Sequence, residues 1–207
     1  MEEILDIYEQ DYNPKRPVVC FDERPCQLIK DVIAPIPMKK GCPQREDYHY
    51  KRNGTCCVLI AIEPLSGKRI VVVKKHRTKK DYALFMKQIE QQYSSAEKIV
   101  LVQDNLNTHN PSSFYEVFSP EKAFWLTHRF QMVYTPKKAS WLNMAEIELA
   151  ALSKQCLDRR LGTMNIFSKE VSAWVKYRNR QKAKVTWQFT KNIAREKLVR
   201  HYDIIRN

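Results

Sequence analysis

The sequence predicts an α/β fold in which a mixed five-stranded sheet, three antiparallel strands followed by two parallel ones, carries helices on both faces. Two observations carry this expectation. Apolar runs at 18–21, 56–62 and 69–73 come before any long helical pattern, and the second and third are separated only by a turn. The later runs, at 99–102 and 130–134, each follow a helical pattern. At 207 residues the chain can bury a core of that size.

Taken in order, Val18 to Phe21 is the first strand, and the proline-containing stretch from Ala34 to Pro43 is the best loop. Cys56 to Ile62 and Arg69 to Val73 form an antiparallel hairpin around Pro64-Leu65-Ser66-Gly67. Thr78 and Asp81 make a capping box, after which Tyr82, Phe85, Met86, Ile89 and Tyr93 recur at helical spacing. Ile99 to Val102 is the fourth strand. Asn110 before Pro111 and Ser119 before Pro120 read as helix starts, and Phe130 to Tyr134 is the fifth strand. Leu142, Ala145, Leu149, Leu152 and Cys156 form one stripe, which predicts a long helix over Trp141 to Arg160. A last helix starts near Ser168 and turns Val171, Trp174 and Val175 inward. The expected division is a helical or linker segment at 1–17, a catalytic α/β domain at 18–165 and a basic helical extension at 166–207.

Composition narrows the function. No apolar run reaches 18 residues, and MEEILDIYEQDYNP is acidic where a signal peptide is basic and then apolar, so a soluble, cytoplasmic protein is expected. Six cysteines form no C-x-x-C pair, which argues against structural zinc and for reduced thiols. Only four glycines are present, and none builds a phosphate-binding loop. The net charge is +13, and residues 151–207 hold 14 basic against 4 acidic side chains. That excess suits a polyphosphate partner such as nucleic acid.

Two acids close apolar strands, Asp22 after VVCF and Asp104 after IVLVQ. Singly, each reads as a turn former. If their strands are parallel neighbours, the carboxylates face each other across about 5 Å. Such a pair repels unless it shares a proton or a cation, and hard oxygen ligands suit magnesium. A third ligand is expected from the long helix. Glu146 and Glu148 each lie about 80° from the centre of its apolar stripe, on opposite sides, so spacing does not choose between them. Asn105, Asn107 and His109 offer polar groups beside Asp104, and Lys137 and Lys138 precede the helix. A lone histidine in such a loop is ordinarily a hydrogen-bonding partner or cap. Trp141 offers a ring for base stacking, although a tryptophan starting an amphipathic helix is more often a core residue.

FDERPCQLI around Asp22, LVQDNLNTH around Asp104 and YTPKKASWLNMAEIE around Glu146 resemble the catalytic domain of bacterial insertion-sequence transposases related to the mariner elements. These belong to the DDE superfamily of endonucleases, which shares its ribonuclease H-like fold with retroviral integrases. The resemblance runs from about Asp6 through QCLDRR at 155–160 to TWQFT at 186–190. Its LN-x-x-E element places the glutamate three positions after Asn143 and so selects Glu146.

The resemblance implies two Mg²⁺ ions, replaceable by Mn²⁺, held by Asp22, Asp104 and Glu146. It implies cleavage of double-stranded DNA at transposon ends and transfer of the freed 3′ hydroxyl to TA targets by a homodimer, associated with the nucleoid. Lys137, Lys138, Arg159, Arg160 and Trp141 would hold DNA, and Asn105, Asn107, His109 and Asn143 would support the site. The relatives' helix-turn-helix reader does not fit into the 17 residues ahead of the first strand. End recognition is therefore expected from a separate polypeptide, unless the chain is a fragment or serves another task. The alternatives are an inactive or co-opted basic DNA-binding remnant and a nuclease of the same fold acting on hybrids or junctions.

Overall fold

The computed structural model describes residues 1–199, so the end of the expected basic extension lies outside the described residues. Five strands form one sheet: β1 (Val18–Asp31), β2 (Tyr50–Glu63), β3 (Lys68–Lys74), β4 (Ile99–Gln103) and β5 (Phe130–Tyr134). Their order is β3-β2-β1-β4-β5. β1–β2 and β2–β3 are antiparallel, while β1–β4 and β4–β5 are parallel, as the sequence predicts.

The first two strands are longer than their apolar runs. β1 extends nine residues beyond Asp22 and pairs there with a more exposed half of β2, closing in the excursion expected at 34–43. That excursion is itself a small hairpin with bridges Ile36↔Arg45 and Lys39↔Cys42. Cross-strand pairing, not apolar burial, sets these strand lengths, so the apolar pattern fades before the strands do.

Alternation along the strands divides the core into two layers. On one face Cys20, Val58, Ile60 and Val102 meet α1 (Glu2–Tyr8), α5 (Ala145–Leu152), α6 (Met164–Arg180) and α7 (Lys191–Lys197). On the other, Phe21, Leu59, Leu101 and Phe130 meet α2 (Lys79–Gln92), α3 (Ser112–Tyr115) and α4 (Pro120–Arg129). The Thr78–Asp81 capping box is formed, and the Ser119 side chain accepts a hydrogen bond from the Lys122 N–H. Asn110 acts one residue ahead of the α3 boundary, where its Oδ1 accepts from the Ser112 N–H at 3.0 Å.

The long helix expected over 141–160 is in three pieces. A 3₁₀ turn at Ser140–Leu142 ends at Asn143, whose backbone is extended, and α5 then runs into a π-helical turn at Ser153–Leu157. Asn143 leaves the helix because its side chain is used elsewhere, donating to the Phe21 carbonyl oxygen at 2.7 Å. The predicted stripe is buried throughout. α6 starts four residues before Ser168 because Thr163 caps it, accepting from the Ile166 N–H at 3.3 Å. Val171 and Trp174 are buried as expected, while Val175 is only partly so.

A buried ion cluster ties α5 and α6 to β3. Glu148 and Arg69 both have fully buried side chains. Arg69 Nε and Nη2 donate to the two Glu148 oxygens at 2.5 and 2.7 Å, and Arg178 Nη2 adds a bond at 2.6 Å. Arg69 Nη1 donates to the Gly67 carbonyl, and Nη2 donates also to that of Ala183. Gly67 has φ +72°, and a Cβ there would lie 2.6 Å from the Lys182 carbonyl carbon, so glycine lets the β2–β3 turn approach residues 182–183.

Burial works against ionised Glu148, but the hydrogen bonds from Arg69 and Arg178 outweigh it and hold the carboxyl below its ordinary value of 4.5. A depressed folded pKa stabilises the fold above the unfolded pKa, and that contribution is lost as pH falls through the folded value. Glu148→Ala is expected to cost about 3–5 kcal/mol in urea denaturation, because it strands a buried arginine. Glu148→Gln should flatten the fall in stability below about pH 4.5.

Candidate active site

The acids meet because of strand register. The last β1–β4 pair is Cys20↔Val102, and two further residues along each strand place Asp22 level with Asp104. The sequence predicts Asp22 at the end of β1, but it lies within the strand, because β1 continues in pairing with β2. It is β4 that stops, so Asp22 stands where β1 loses its parallel neighbour.

Asp22 is partly buried and accepts a hydrogen bond from the Glu23 N–H at 2.7 Å. Asn143 Nδ2 lies 3.5 Å from its other oxygen. Burial pushes the Asp22 carboxyl up to about 7, and the negative charges of Glu146 and Asp104 add to the effect. Asp104 behaves oppositely: its hydrogen bond with His109 holds it below the ordinary carboxylate range.

His109 is fully buried, with Nδ1 on Asp104 Oδ1 and Nε2 3.4 Å from Glu23 Oε2. Burial opposes its charge, yet the two carboxylates raise its pKa to about 9. The Nε2 contact is an ion pair without hydrogen-bond alignment. Glu23 was not singled out by the sequence reading. Strand alternation is the signal that finds it, since the residue after Asp22 must face the opposite side of the sheet.

The two glutamates of α5 have different surroundings. Glu148 is consumed by Arg69 and Arg178, whereas Glu146 is exposed and acts on Asp22. Asn143 braces the start of α5, its Oδ1 accepting from the Ala145 N–H at 3.1 Å.

Beside Asp104, a cleft of about 480 Å³ is lined by Asn105, Thr135, Lys137, Lys138 and Ser140 among others. Lys138 has φ +65°, a left-handed conformation that is strained for a non-glycine residue. Asn107 is exposed in the same loop. Trp141 is 47% exposed and packs edge-on against Phe189, so it is not a core residue. Arg159 and Arg160 are not brought to this cleft. Arg159 pairs with Glu170 beside a separate pocket, and Arg160 pairs with Asp31 at 2.8 Å.

Among the described residues, no three His, Cys, Asp or Glu side chains are already gathered at ligand spacing. Asp22, Asp104 and Glu146 are nonetheless an all-oxygen donor set whose mutual repulsion falls on Asp22, and that chemistry fits a hard divalent cation.

A 3-2-1-4-5 mixed sheet with acids beside its central parallel strands defines a ribonuclease H-like α/β domain. Residues 17–166 match the family described as DDE superfamily endonuclease, and the chain belongs to that family. No curated protein matches the chain. Among solved structures it is similar to the catalytic domain of Mos1 mariner transposase, with TM-score 0.55 and 10% identity over 88% of this chain and 87% of that one. It is similar also to the Mos1 transposase paired-end complex with left transposon end, with TM-score 0.58 and 13% identity over 88% of this chain. The Mos1 strand transfer complex gives TM-score 0.56 and 13% identity. The chain spans 56% and 55% of the transposase chains in those two complexes.

An acid whose folded pKa is raised favours folding below its unfolded pKa, and that contribution is lost as pH rises through the folded value. In EDTA, Asp22→Asn should therefore raise the Tm by several degrees at pH 8, and the gain should fade towards pH 4. Thermal denaturation across that range checks it.

Proposed function

We propose that the chain is the catalytic unit of a transposase, cutting DNA phosphodiesters at transposon ends and joining the freed 3′ hydroxyl to target DNA. The observation that carries this reading is the juxtaposition of Asp22 and Asp104 by the β1–β4 register, with Glu146 exposed at the start of α5. Membership of the DDE superfamily endonucleases supports the chemistry, and similarity to the Mos1 paired-end complex with a transposon end and to the Mos1 strand transfer complex supports the substrate. The proposed catalytic unit is 18–165, with 166–207 as a basic extension.

Asp22, Asp104 and Glu146 would hold Mg²⁺ or Mn²⁺, as two ions. When bound, the ions supply activation of the attacking oxygen and charge stabilisation at the leaving one. The protein's own part is positional. Asn143 orients Asp22 from the α5 side, and His109 fixes one oxygen of Asp104. Lys137 and Lys138, at the rim of the cleft beside Asp104, would neutralise backbone phosphates without reading bases, and exposed Trp141 offers a stacking surface. Homodimerisation follows from the need to join two ends. Recognition of those ends is assigned to a separate module or polypeptide.

Nicking of supercoiled plasmid at low salt, with Mg²⁺ or Mn²⁺, tests the reading. Asp104→Asn and Glu146→Gln should each lower the rate at least about 10³-fold with unchanged circular dichroism. Salt-sensitive DNA binding without nicking in the wild type would instead identify a binding module. Replacing Lys137 and Lys138 by Ala should reduce the slope of log affinity against log salt by about 2.

A further inference from the structure

We propose that Glu23 is a positioning residue for Asp104, acting through His109. β1 would then supply one acid of the site from one face and the brace of the second from the other. The inference rests on the reading of Asp22, Asp104 and Glu146 as the metal-holding acids.

The chain of contacts is continuous and largely dry. The Glu23 side chain is 6% exposed and His109 is fully enclosed. The imidazole packs against the rings of Phe21 and Tyr82, each with its centroid 5.0 Å away. Its main-chain carbonyl accepts from Gln103 Nε2 and from the Tyr134 hydroxyl, both at 3.0 Å. Ring packing fixes the plane of the imidazole, and Glu23 Oε2 at Nε2 favours the orientation that directs Nδ1 to Asp104. Arg77 Nη1 holds the other Glu23 oxygen at 3.2 Å.

One Asp104 oxygen is thereby committed to His109, and the rotation of the carboxyl group is restricted. An outer-sphere carboxylate–histidine arrangement of this kind tunes a carboxylate that faces a cation, and loss of such partners typically costs 10–100-fold in metal affinity. Strand alternation makes the device possible at two adjacent positions, Asp22 and Glu23.

The test is Mn²⁺ binding by the purified full chain, read by electron paramagnetic resonance, with Tm recorded for each variant. Glu23→Leu removes the carboxylate facing Nε2 and should weaken Mn²⁺ binding about tenfold or more. Its nicking activity should recover as Mn²⁺ is raised, which Asp104→Asn does not do. Glu23→Gln keeps an oxygen facing Nε2 without the charge and should bind Mn²⁺ less tightly than the wild type but more tightly than Glu23→Leu.

If Glu23→Leu does not fold, His109→Asn and His109→Ala decide. Both leave a cavity and lower the Tm, but only asparagine retains an N–H for Asp104 and should bind Mn²⁺ more tightly. Wild-type affinity in Glu23→Leu, or equal affinities in the two His109 variants, would overturn the proposal alone. A wild-type chain that binds Mn²⁺ no better than Asp104→Asn would overturn the metal-site reading as well.

Discussion

The parallel pairing of β1 with β4 is the constraint on which the rest of the molecule depends. Only three residue pairs make it, from Val18↔Val100 to Cys20↔Val102, yet they fix where Asp22 and Asp104 point. A slip of one residue would turn one strand's side chains to the opposite face, separating Asp104 from Asp22 and burying its carboxylate. The apolar runs themselves prevent the slip. Val19, Cys20, Leu101 and Val102 are all buried, so both faces of these central strands are already committed. Where β4 ends and β1 continues along β2, the sheet has a notch, and the acids stand in it.

Each face of the sheet then contributes one polar brace. On the α5 side, Asn143 interrupts a helix that its neighbours would otherwise continue, and it links the Phe21 carbonyl to the Ala145 N–H. On the α2 side, His109 fills a slot lined by aromatic rings and bonds Asp104. Both side chains are almost wholly buried, so their hydrogen bonds exchange little with water. Leaving the buried Phe21 carbonyl unmatched would cost about 1–3 kcal/mol. The same bonds that satisfy the buried groups set the orientation of the acids.

Much of this was legible in the sequence because it depends on local pattern. The five strands, their division into an antiparallel set and a parallel pair, and the caps at Thr78 and Ser119 follow from alternation, element order and side-chain chemistry. What was not legible depends on distant partners. The break at Asn143 answers a carbonyl 122 residues away, and the length of β1 beyond Asp22 answers its pairing with β2. Arg159 and Arg160 read as DNA contacts from the resemblance and their charge, and in the fold Glu170 and Asp31 engage them. Glu23 was hidden by its neighbour, since attention to one acid at a strand end overlooks a second on the reverse face.

Glu146 and Glu148 make the same point on a single turn of helix. Two residues apart on α5, they project about 200° from each other, so one can be enclosed while the other meets solvent. Glu148 sits in the dry interior against Arg69 of β3 and Arg178 of α6. A buried ion pair contributes little net stability compared with apolar packing of the same volume, but it tolerates few geometries, because every donor must find its acceptor. It therefore fixes the rotation and height of α5 against the sheet. Once that is set, the position of Glu146 relative to Asp22 is set too, although Glu146 itself makes no anchoring contact on that buried side. The arginine cluster and the acidic cluster share a helix, and the rigidity of the first is what gives the second a defined geometry.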